Sequence, residues 1–187
     1  MYKFFITLLT VGALAFAARA QDVLTNSAPR TEIETFEAQT NTVIVKGMGL
    51  INTINMSSGS ISVLSKQSMD VTTGRKEYGL MIEFVVNGDW QTRAVVDYSE
   101  LDSFLNGIDY LNKVTSDVTP LASFEAVYTT KSGFSVIAYS ARKQGNVHIS
   151  IQFDGWPRMP LSSDQVSQFR DLVSSAKNSL DALMSNK

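Results

Sequence analysis

The chain has 187 residues, with 16 lysines and arginines against 18 aspartates and glutamates, so its formal net charge is −2. A charge this close to zero gives no electrostatic reason to bind nucleic acid or anionic lipid. The chain has no cysteine and one histidine, which excludes disulfides and thiol catalysis and argues against ordinary zinc, copper and iron sites. No metal and no other cofactor is therefore expected.

The first twenty residues predict a secretory signal peptide. Lys3 gives a positive start, an apolar run follows from Phe4 to Phe16, and Ala18-Arg19-Ala20 supplies the small residues of a cleavage site. The apolar run is shorter than the roughly 20 residues that a membrane-spanning helix needs. We therefore expect cleavage after Ala20 and export of the chain to the periplasm or the extracellular space.

The predicted organisation has three parts. Residues 1–20 are the signal peptide, 21–30 a flexible polar tail, and 31–187 a single α+β domain. Cleavage after Ala20 would leave 167 residues, which are enough to bury a core without disulfides. No later segment approaches the length needed to cross a membrane.

The sequence of the first half of the domain predicts a short helix, or alternatively a frayed strand, followed by four strands; we favour the helix. The helix covers Thr31 to Gln39, and runs rich in valine and isoleucine or alternating in polarity mark the strands. Gly47 and Gly49 indicate a bulge or bend in the first strand, since they lack the third glycine and the following helix of a phosphate-binding loop. The strands are expected at 42–54, 60–72, 78–86 and 90–98.

The alternation of polarity on both sides of residues 87–89 predicts the register of a hairpin. Apolar residues alternate on both sides of Asn-Gly-Asp, and a two-residue loop would set apolar side chains opposite polar ones. A loop with an odd count, most simply three residues, places Trp90 beside Val86. The same register pairs Glu83 with Arg93 on the opposite face.

A capped amphipathic helix is expected after the fourth strand. Ser99 and Asp102 have the spacing of a capping box, and the helix should end near Val114. Gly107 costs this helix about 1 kcal/mol relative to alanine, so its apolar face must dock well. That face consists of Leu101, Phe104, Leu105, Ile108 and Leu111.

The second half predicts three strands, at 124–130, 134–140 and 147–154. The last strand alternates most clearly, which predicts one buried face and one solvated face. Its inward residues are Val147, Ile149, Ile151 and Phe153, and its outward residues are His148, Ser150, Gln152 and Asp154.

A stiff connector over residues 156–160 should lead into the last helix. Ser162 and Gln165 form a second capping-box pattern, which opens a helix that runs to about Ser185. Its expected core face is Val166, Phe169, Leu172, Val173, Ala176, Leu180 and Leu183.

These elements predict an α+β fold of about seven antiparallel strands in two meanders, four then three, each followed by an amphipathic helix. One compatible arrangement is a two-repeat ββββα fold, whose layout resembles that of the Whirly and Pur nucleic-acid binders. The other is a curled sheet with a C-terminal helix, which resembles pleckstrin-homology domains. Both resemblances concern the order of elements alone, and such a likeness implies no function.

His148 is the only histidine, and it shares the outward face of its strand with Ser150 and Asp154. A histidine beside a serine hydroxyl could act as a general base in nucleophilic catalysis. The chain contains no G-x-S-x-G elbow or other nucleophile motif. The sequence therefore favours a polar face wetted by solvent, without catalytic residues.

Asp97, Glu100 and Asp102 cluster where a strand meets a helix. They could form a catalytic carboxylate pair or a weak calcium site, but their spacing matches no calcium-binding loop. Acidic residues at this position also stabilise a helix N-terminus through capping and the helix dipole. We favour the helix-stabilising interpretation.

Basic residues outnumber acidic ones around the predicted second sheet, at Lys131, Arg142, Lys143 and Arg158. With aromatic neighbours they could mimic a surface for single-stranded nucleic acid. Most of them fall at predicted hairpin tips or connectors, where charged residues are ordinary. Export also argues against nucleic acid as a partner.

Trp156 and Arg158 lie on the stiff connector and are the residue types that anchor protein interfaces. Trp156 could instead cover the core next to Phe153, as tryptophans often do. With His148, these two residues make up the candidate contact surface.

The sequence predicts a binding or structural module without covalent chemistry, whose partner is an unidentified protein or small molecule. Catalysis needs convergent titratable groups, and the chain supplies few candidates. One alternative is a carrier of a small apolar ligand within a curled sheet, which requires an apolar cavity. Another is a hydrolase that uses dispersed carboxylates about 5–10 Å apart.

Overall fold

A computed structural model describes residues 28–57, 59–86, 90–140 and 145–185. The predicted signal peptide, most of the predicted tail, the predicted loop residues 87–89, and Arg142 and Lys143 lie outside these ranges. The helices are α1 (Glu32–Glu37), α2 (Leu101–Leu111) and α3 (Ser163–Ser185). The strands are β1 (Ile44–Met56), β2 (Gly59–Asp70), β3 (Lys76–Val86), β4 (Trp90–Asp97), β5 (Glu125–Thr129), β6 (Ser135–Ser140), β7 (Val147–Gln152) and β8 (Met159–Leu161).

The strands form two antiparallel four-stranded sheets, each in sequential order, which confirms the α+β class. The predicted count of four strands then three is wrong, because residues 159–161 form β8 beside β7. Pro160 hid this strand from the sequence pattern, since proline is disfavoured within sheets. It is tolerated here because β8 lies at an edge.

The predicted register of the β3–β4 hairpin is confirmed. Val86 lies opposite Trp90, and Glu83 lies opposite Arg93. These pairings are those of a three-residue loop, so the alternation of polarity was sufficient to fix which side chains share a face.

The core fills the space between the two sheets. Phenylalanines dominate it, and the rings of Phe134 and Phe153 approach edge to face with centroids 4.9 Å apart. Phe104 of α2 and Phe169 of α3 meet at 6.2 Å, so both helices close the same aromatic cluster. Such ring pairs stabilise by about 1 kcal/mol beyond the burial of their area.

Gly107 in the middle of α2 has a packing reason. The ring of Tyr128 on β5 lies against it, and a Cβ atom at this position would sit 2.7 Å from Cγ of that ring. The Tyr128 hydroxyl forms a hydrogen bond with the Ser103 hydroxyl, with 2.9 Å between the two oxygens. The lower helix propensity of glycine therefore allows close docking of α2 on the second sheet.

One of the two predicted capping boxes forms. The Ser162 N–H donates to Oε1 of Gln165 at 2.9 Å, and the Gln165 N–H donates back to Oγ of Ser162 at 3.3 Å. The box at Ser99 and Asp102 is wrong, because a 3₁₀ turn precedes α2 and the Ser99 hydroxyl donates to Glu32 instead.

The last turns of both long helices differ from expectation. Helix α2 ends at Leu111, three residues before the predicted end. Leu183 of α3 was expected in the core but is exposed, and the neighbouring Met184 packs against the core instead. Among the described helices, none combines the length and apolarity that a bilayer crossing requires.

Helix α1 covers the outer face of the first sheet, on the side away from the common core. A capping box between Thr31 and Glu34 starts the helix, and Ile33 and Phe36 are fully buried beneath it. Asp97, at the end of β4, accepts hydrogen bonds from the N–H groups of Glu32 at 2.9 Å and Ile33 at 3.1 Å.

The second sheet is strongly coiled, and the coiling shields part of its outer face from solvent. Arg158, immediately before β8, forms a bidentate pair with Glu125 on β5 at 2.7 and 3.0 Å. These strands are opposite edges of the sheet, about 14 Å apart if it were flat, so the pair requires strong coiling. The prediction that Ser150 faces solvent is wrong: it is 1% exposed on this curled face, close to buried Ile137.

Candidate functional site

An apolar groove opens at the rim where the two sheets meet, and we call it the Trp156 groove. Its volume is about 390 Å³. The end of the β1–β2 hairpin and the end of β3 form one side, and the segment before β8 forms the other. The lining residues are Ser57, Phe84, Val86, Trp156, Pro157, Arg158, Met159 and Pro160.

Local chain geometry fixes the Trp156 side of the groove. Gly155 adopts a φ of 75°, which side-chain-bearing residues rarely adopt, and the Trp156 N–H donates to the Phe153 carbonyl at 2.9 Å. The Gln152 amide donates to the Trp156 carbonyl, also at 2.9 Å. Both backbone polar groups of Trp156 are thus bonded, and Pro157 stiffens the next step of the chain.

Trp156 both covers the core and lines the groove, which are the two roles that the sequence suggested for it. The side chain packs against the aromatic core and is only half-buried, so part of the indole remains available in the groove. Arg158 contributes to the same groove while its guanidinium group is held by Glu125, with about two fifths of each side chain exposed. The groove therefore has apolar walls and a positive group that is already paired.

Sequence reasoning missed the opposite wall. Phe84 and Val86 continue the alternation of β3, and nothing in the sequence indicated that they would border a groove. Phe84 is buried and still borders the groove, and Val86 is half-buried. Their position at the end of a predicted strand could have indicated this, because side chains there lie at the edge of the core.

His148 lies apart from the other two candidate contact residues. It is exposed near the start of β7, and its ring faces Tyr139 with centroids 5.7 Å apart. It borders a different depression of about 470 Å³, together with Asn112 and Ser162. The structure brings Trp156 and Arg158 together but does not add His148 to them.

The histidine and serine of the sequence hypothesis do not form a pair. Oγ of Ser150 is buried without a hydrogen-bond partner in the described chain, so His148 does not activate it. Asp154 is engaged elsewhere, in an ion pair with Arg30. The outer face of β7 therefore lacks an assembled nucleophile and base.

The three acidic residues around the end of β4 each contact a lysine. Asp97 caps α1, not the following helix α2, and its carboxylate also binds Nζ of Lys131 at 3.1 Å. Glu100 accepts a hydrogen bond from the Lys131 N–H at 3.0 Å, whereas the side chain of Asp102 is 82% exposed. Asp97 thus stabilises a different helix from the one expected, whereas Asp102 lies in the first turn of α2, where an acidic residue favours the helix dipole.

Lys131 links this cluster to α1. Its ammonium group contacts Glu32 at 3.0 Å as well as Asp97, and the hydrogen bond to Glu32, reinforced by Asp97, raises the pKa of Lys131 to about 12. The residues that the structure describes contain no group of three histidine, aspartate or glutamate side chains placed to hold a metal ion.

A second ionic cluster, unforeseen from the sequence, lies under the end of α1. Glu37 contacts the ammonium groups of Lys66 and Lys46, each at 2.7 Å, and accepts a hydrogen bond from Ser68. Burial acts to raise the pKa of Glu37, but the bonds from Lys46, Lys66 and Ser68 together lower it below its ordinary value. The Lys66 side chain is only 7% exposed, so this carboxylate neutralises a buried charge.

Comparisons with protein-family models, with curated proteins and with solved structures found no match to this chain.

Proposed function

We propose that this chain is an exported, non-catalytic binding module whose Trp156 groove holds an apolar side chain of a partner polypeptide. The observation that carries the proposal is the groove itself: about 390 Å³, with walls of phenylalanine, valine, tryptophan, methionine and proline. Concave apolar sites of this size are the usual form of binding pockets.

A side chain of another protein fits the groove for two reasons. Tryptophan and arginine are the residue types that most often dominate protein interfaces, and here both line one apolar depression. The backbone of Trp156 is held by hydrogen bonds on both sides, so little conformational freedom is lost when a partner docks.

The charged side chains favour binding over catalysis. Glu37, Asp97 and Glu125 are each tied to a lysine or arginine that they neutralise. His148 has no carboxylate or hydroxyl partner among its described contacts. A hydrolase needs groups that converge on a cleft, and these groups serve the fold instead.

The packing between the sheets favours a rim site over a carrier of an internal ligand. Phenylalanines from both sheets and both long helices meet there at centroid distances of 4.9 to 6.2 Å. A carrier would require an apolar cavity in this region. The proposed occupant therefore binds at the rim.

We further infer that residues 1–20 are a signal peptide removed during export, on the basis of the apolar run and the small residues that end it. N-terminal sequencing of the protein from its natural host should begin at Gln21. Recovery of Met1 from a cytosolic fraction would contradict export. The order of elements, four strands and a helix twice over, also supports a ββββα repeat, which by itself implies no function.

The groove can be tested by NMR titration with N-acetylphenylalaninamide, an isolated aromatic side chain. We expect chemical shift changes at the Trp156 indole N–H and the Met159 methyl group, with a dissociation constant in the millimolar range, on the order of what so small a ligand can reach. N-acetylalaninamide, which lacks the ring, should leave both signals unchanged.

Two variants locate the binding. Trp156→Ala should abolish the response at Met159, because it removes one wall of the groove. Tyr110→Ala, which removes an exposed aromatic side chain on α2, should leave it intact. Shift changes scattered over the surface, or equal responses in the two variants, would contradict the proposed site.

A further inference from the structure

Exposed apolar side chains concentrate along β1, the edge strand of the first sheet. Half of the large apolar side chains that are exposed in the described chain lie in β1, directly before it, or directly after its neighbour β2. They are Val43, Val45, Met48, Leu50 and Val71, with exposures of 48% to 64%. Among the described residues, no strand pairs with the outer side of β1.

The backbone hydrogen bonds show which residues of β1 face outward. The Val71 N–H donates to the Val43 carbonyl at 3.0 Å, so Val43 directs its polar backbone groups toward β2. In an antiparallel ladder this direction alternates from residue to residue. The outward N–H and C=O groups therefore belong to Ile44, Lys46, Met48 and Leu50.

Before its bulge at Leu50 to Asn52, this edge carries little of the usual protection against strand pairing. Lys46 is the only charged residue from Val43 to Met56, and its ammonium group turns back to Glu37 at 2.7 Å. Natural edge strands are commonly blocked by free charges, prolines or bulges. The only irregularity in the ladder lies between Leu50 and Asn52, so the segment before it stays regular.

We propose that β1 pairs antiparallel with β1 of a second copy of this chain, around a two-fold axis at Gly47. The four outward residues are symmetric about this glycine. Ile44 then lies opposite Leu50 of the second copy, and Lys46 lies opposite Met48 of the second copy. The two sheets become one continuous eight-stranded sheet across the dimer.

A second copy fits this edge better than an unrelated strand because the edge complements itself. Apolar Ile44 and Leu50 meet each other, and the two Lys46 side chains do not stand opposite one another. Glu37 already balances each Lys46 charge, so little repulsion opposes association. Closed two-fold pairing is the commonest form of homo-oligomer.

The oligomeric state of the purified chain tests the proposal. Sedimentation equilibrium over a concentration series should show a monomer–dimer equilibrium for the wild type. Leu50→Lys should weaken dimerisation by about tenfold or more, because it places a charge against Ile44 of the second copy. Leu121→Lys, which changes a more exposed leucine in a loop, should dimerise like the wild type.

Hydrogen exchange of the wild type gives a second readout that needs no variant. The amides of Ile44, Lys46, Met48 and Leu50 should be protected in concentrated samples and lose protection on dilution. The amides of Val45 and Gly47, which bond to β2, should stay protected throughout. A monomer at all concentrations up to about 1 mM, or a dimer that Leu50→Lys and Leu121→Lys affect equally, would overturn the proposal.

Discussion

The outer faces of the two sheets are closed in different ways. The first sheet lies under helix α1, and Glu37 and Lys66 form an ion pair in the resulting interior. The second sheet curls until Arg158 at one edge reaches Glu125 at the other, and this pair stays about two fifths exposed. The same kind of interaction is thus buried in one half of the molecule and solvated in the other.

The difference decides what each ion pair contributes. A solvated pair gains little, because water screens the charges and two long side chains lose freedom. A buried pair costs a large desolvation free energy to form, so the loss of one partner leaves an uncompensated charge in the interior. Removing a carboxylate should therefore be far more damaging in the first sheet than in the second.

The largest effect is expected from Glu37→Gln. The substitution leaves the ammonium group of Lys66, on a side chain that is 7% exposed, without its counter-charge. The free energy of unfolding should fall by about 3–5 kcal/mol, the range measured when buried pairs lose one partner. Urea denaturation at pH 7, followed by circular dichroism, measures the change.

Two controls separate burial from charge at the same site. Adding Lys66→Met to Glu37→Gln should restore most of the lost stability, because the buried charge is removed as well. Lys46→Met, which removes the half-exposed partner of the same carboxylate, should cost less than about 1 kcal/mol. Equal losses for Glu37→Gln and Lys46→Met would refute the role assigned to burial.

The next largest effect is expected where α2 docks on the second sheet. Gly107→Ala should lower the free energy of unfolding by about 1–3 kcal/mol, because the new methyl group would overlap the Tyr128 ring. The loss should appear although alanine favours helix by about 1 kcal/mol. Asn106→Ala, at the exposed neighbouring position, should be neutral or stabilising, and a Gly107→Ala variant that behaves the same way would rule out the packing argument.

Lowering the pH should reduce the contribution of Glu37 to the free energy of unfolding. Because the pKa of its carboxyl is lowered in the folded state, the stabilisation is present above the ordinary glutamate pKa and is lost as pH falls through the lower folded pKa. Each unit of difference corresponds to about 1.4 kcal/mol. The stability gap between wild type and Glu37→Gln should narrow below about pH 4.5 in urea titrations, and a constant gap would contradict the linkage.

The smallest effect should come from Glu125→Gln, the matching substitution in the second sheet. Its partner Arg158 is largely solvated, so stability should change far less than for Glu37→Gln, and the residual change should disappear in about 1 M salt. A loss that equals that of Glu37→Gln and persists in salt would show that the Arg158–Glu125 pair is needed to keep the sheet coiled.

Some local patterns were read correctly from the sequence, although the capping box predicted at Ser99 does not form. The register of the β3–β4 hairpin and the capping box at Ser162 each depend on residues a few positions apart, and both are confirmed. Strand β8 was missed because three residues with a proline show no period. Propensity and alternation predict a structural feature only where residues close together in the sequence determine it.

Features made by distant contacts could not be predicted. Asp97 caps a helix 64 and 65 residues earlier in the chain, and the burial of Ser150 follows from coiling of the whole second sheet. Only part of the candidate site could be predicted, because its two walls come from distant parts of the chain. Trp156 and Arg158 are conspicuous by residue type, whereas Phe84 joins them only because the two sheets meet at the rim.

The position of α3 in the chain has a consequence for the timing of folding. This last helix contacts β1, β2 and β3 of the first sheet as well as β8 and α2, and its buried residues complete the aromatic cluster between the sheets. The aromatic cluster between the sheets is therefore complete only when α3 has docked. Removing α3 should therefore expose the aromatic cluster on the inner faces of both sheets.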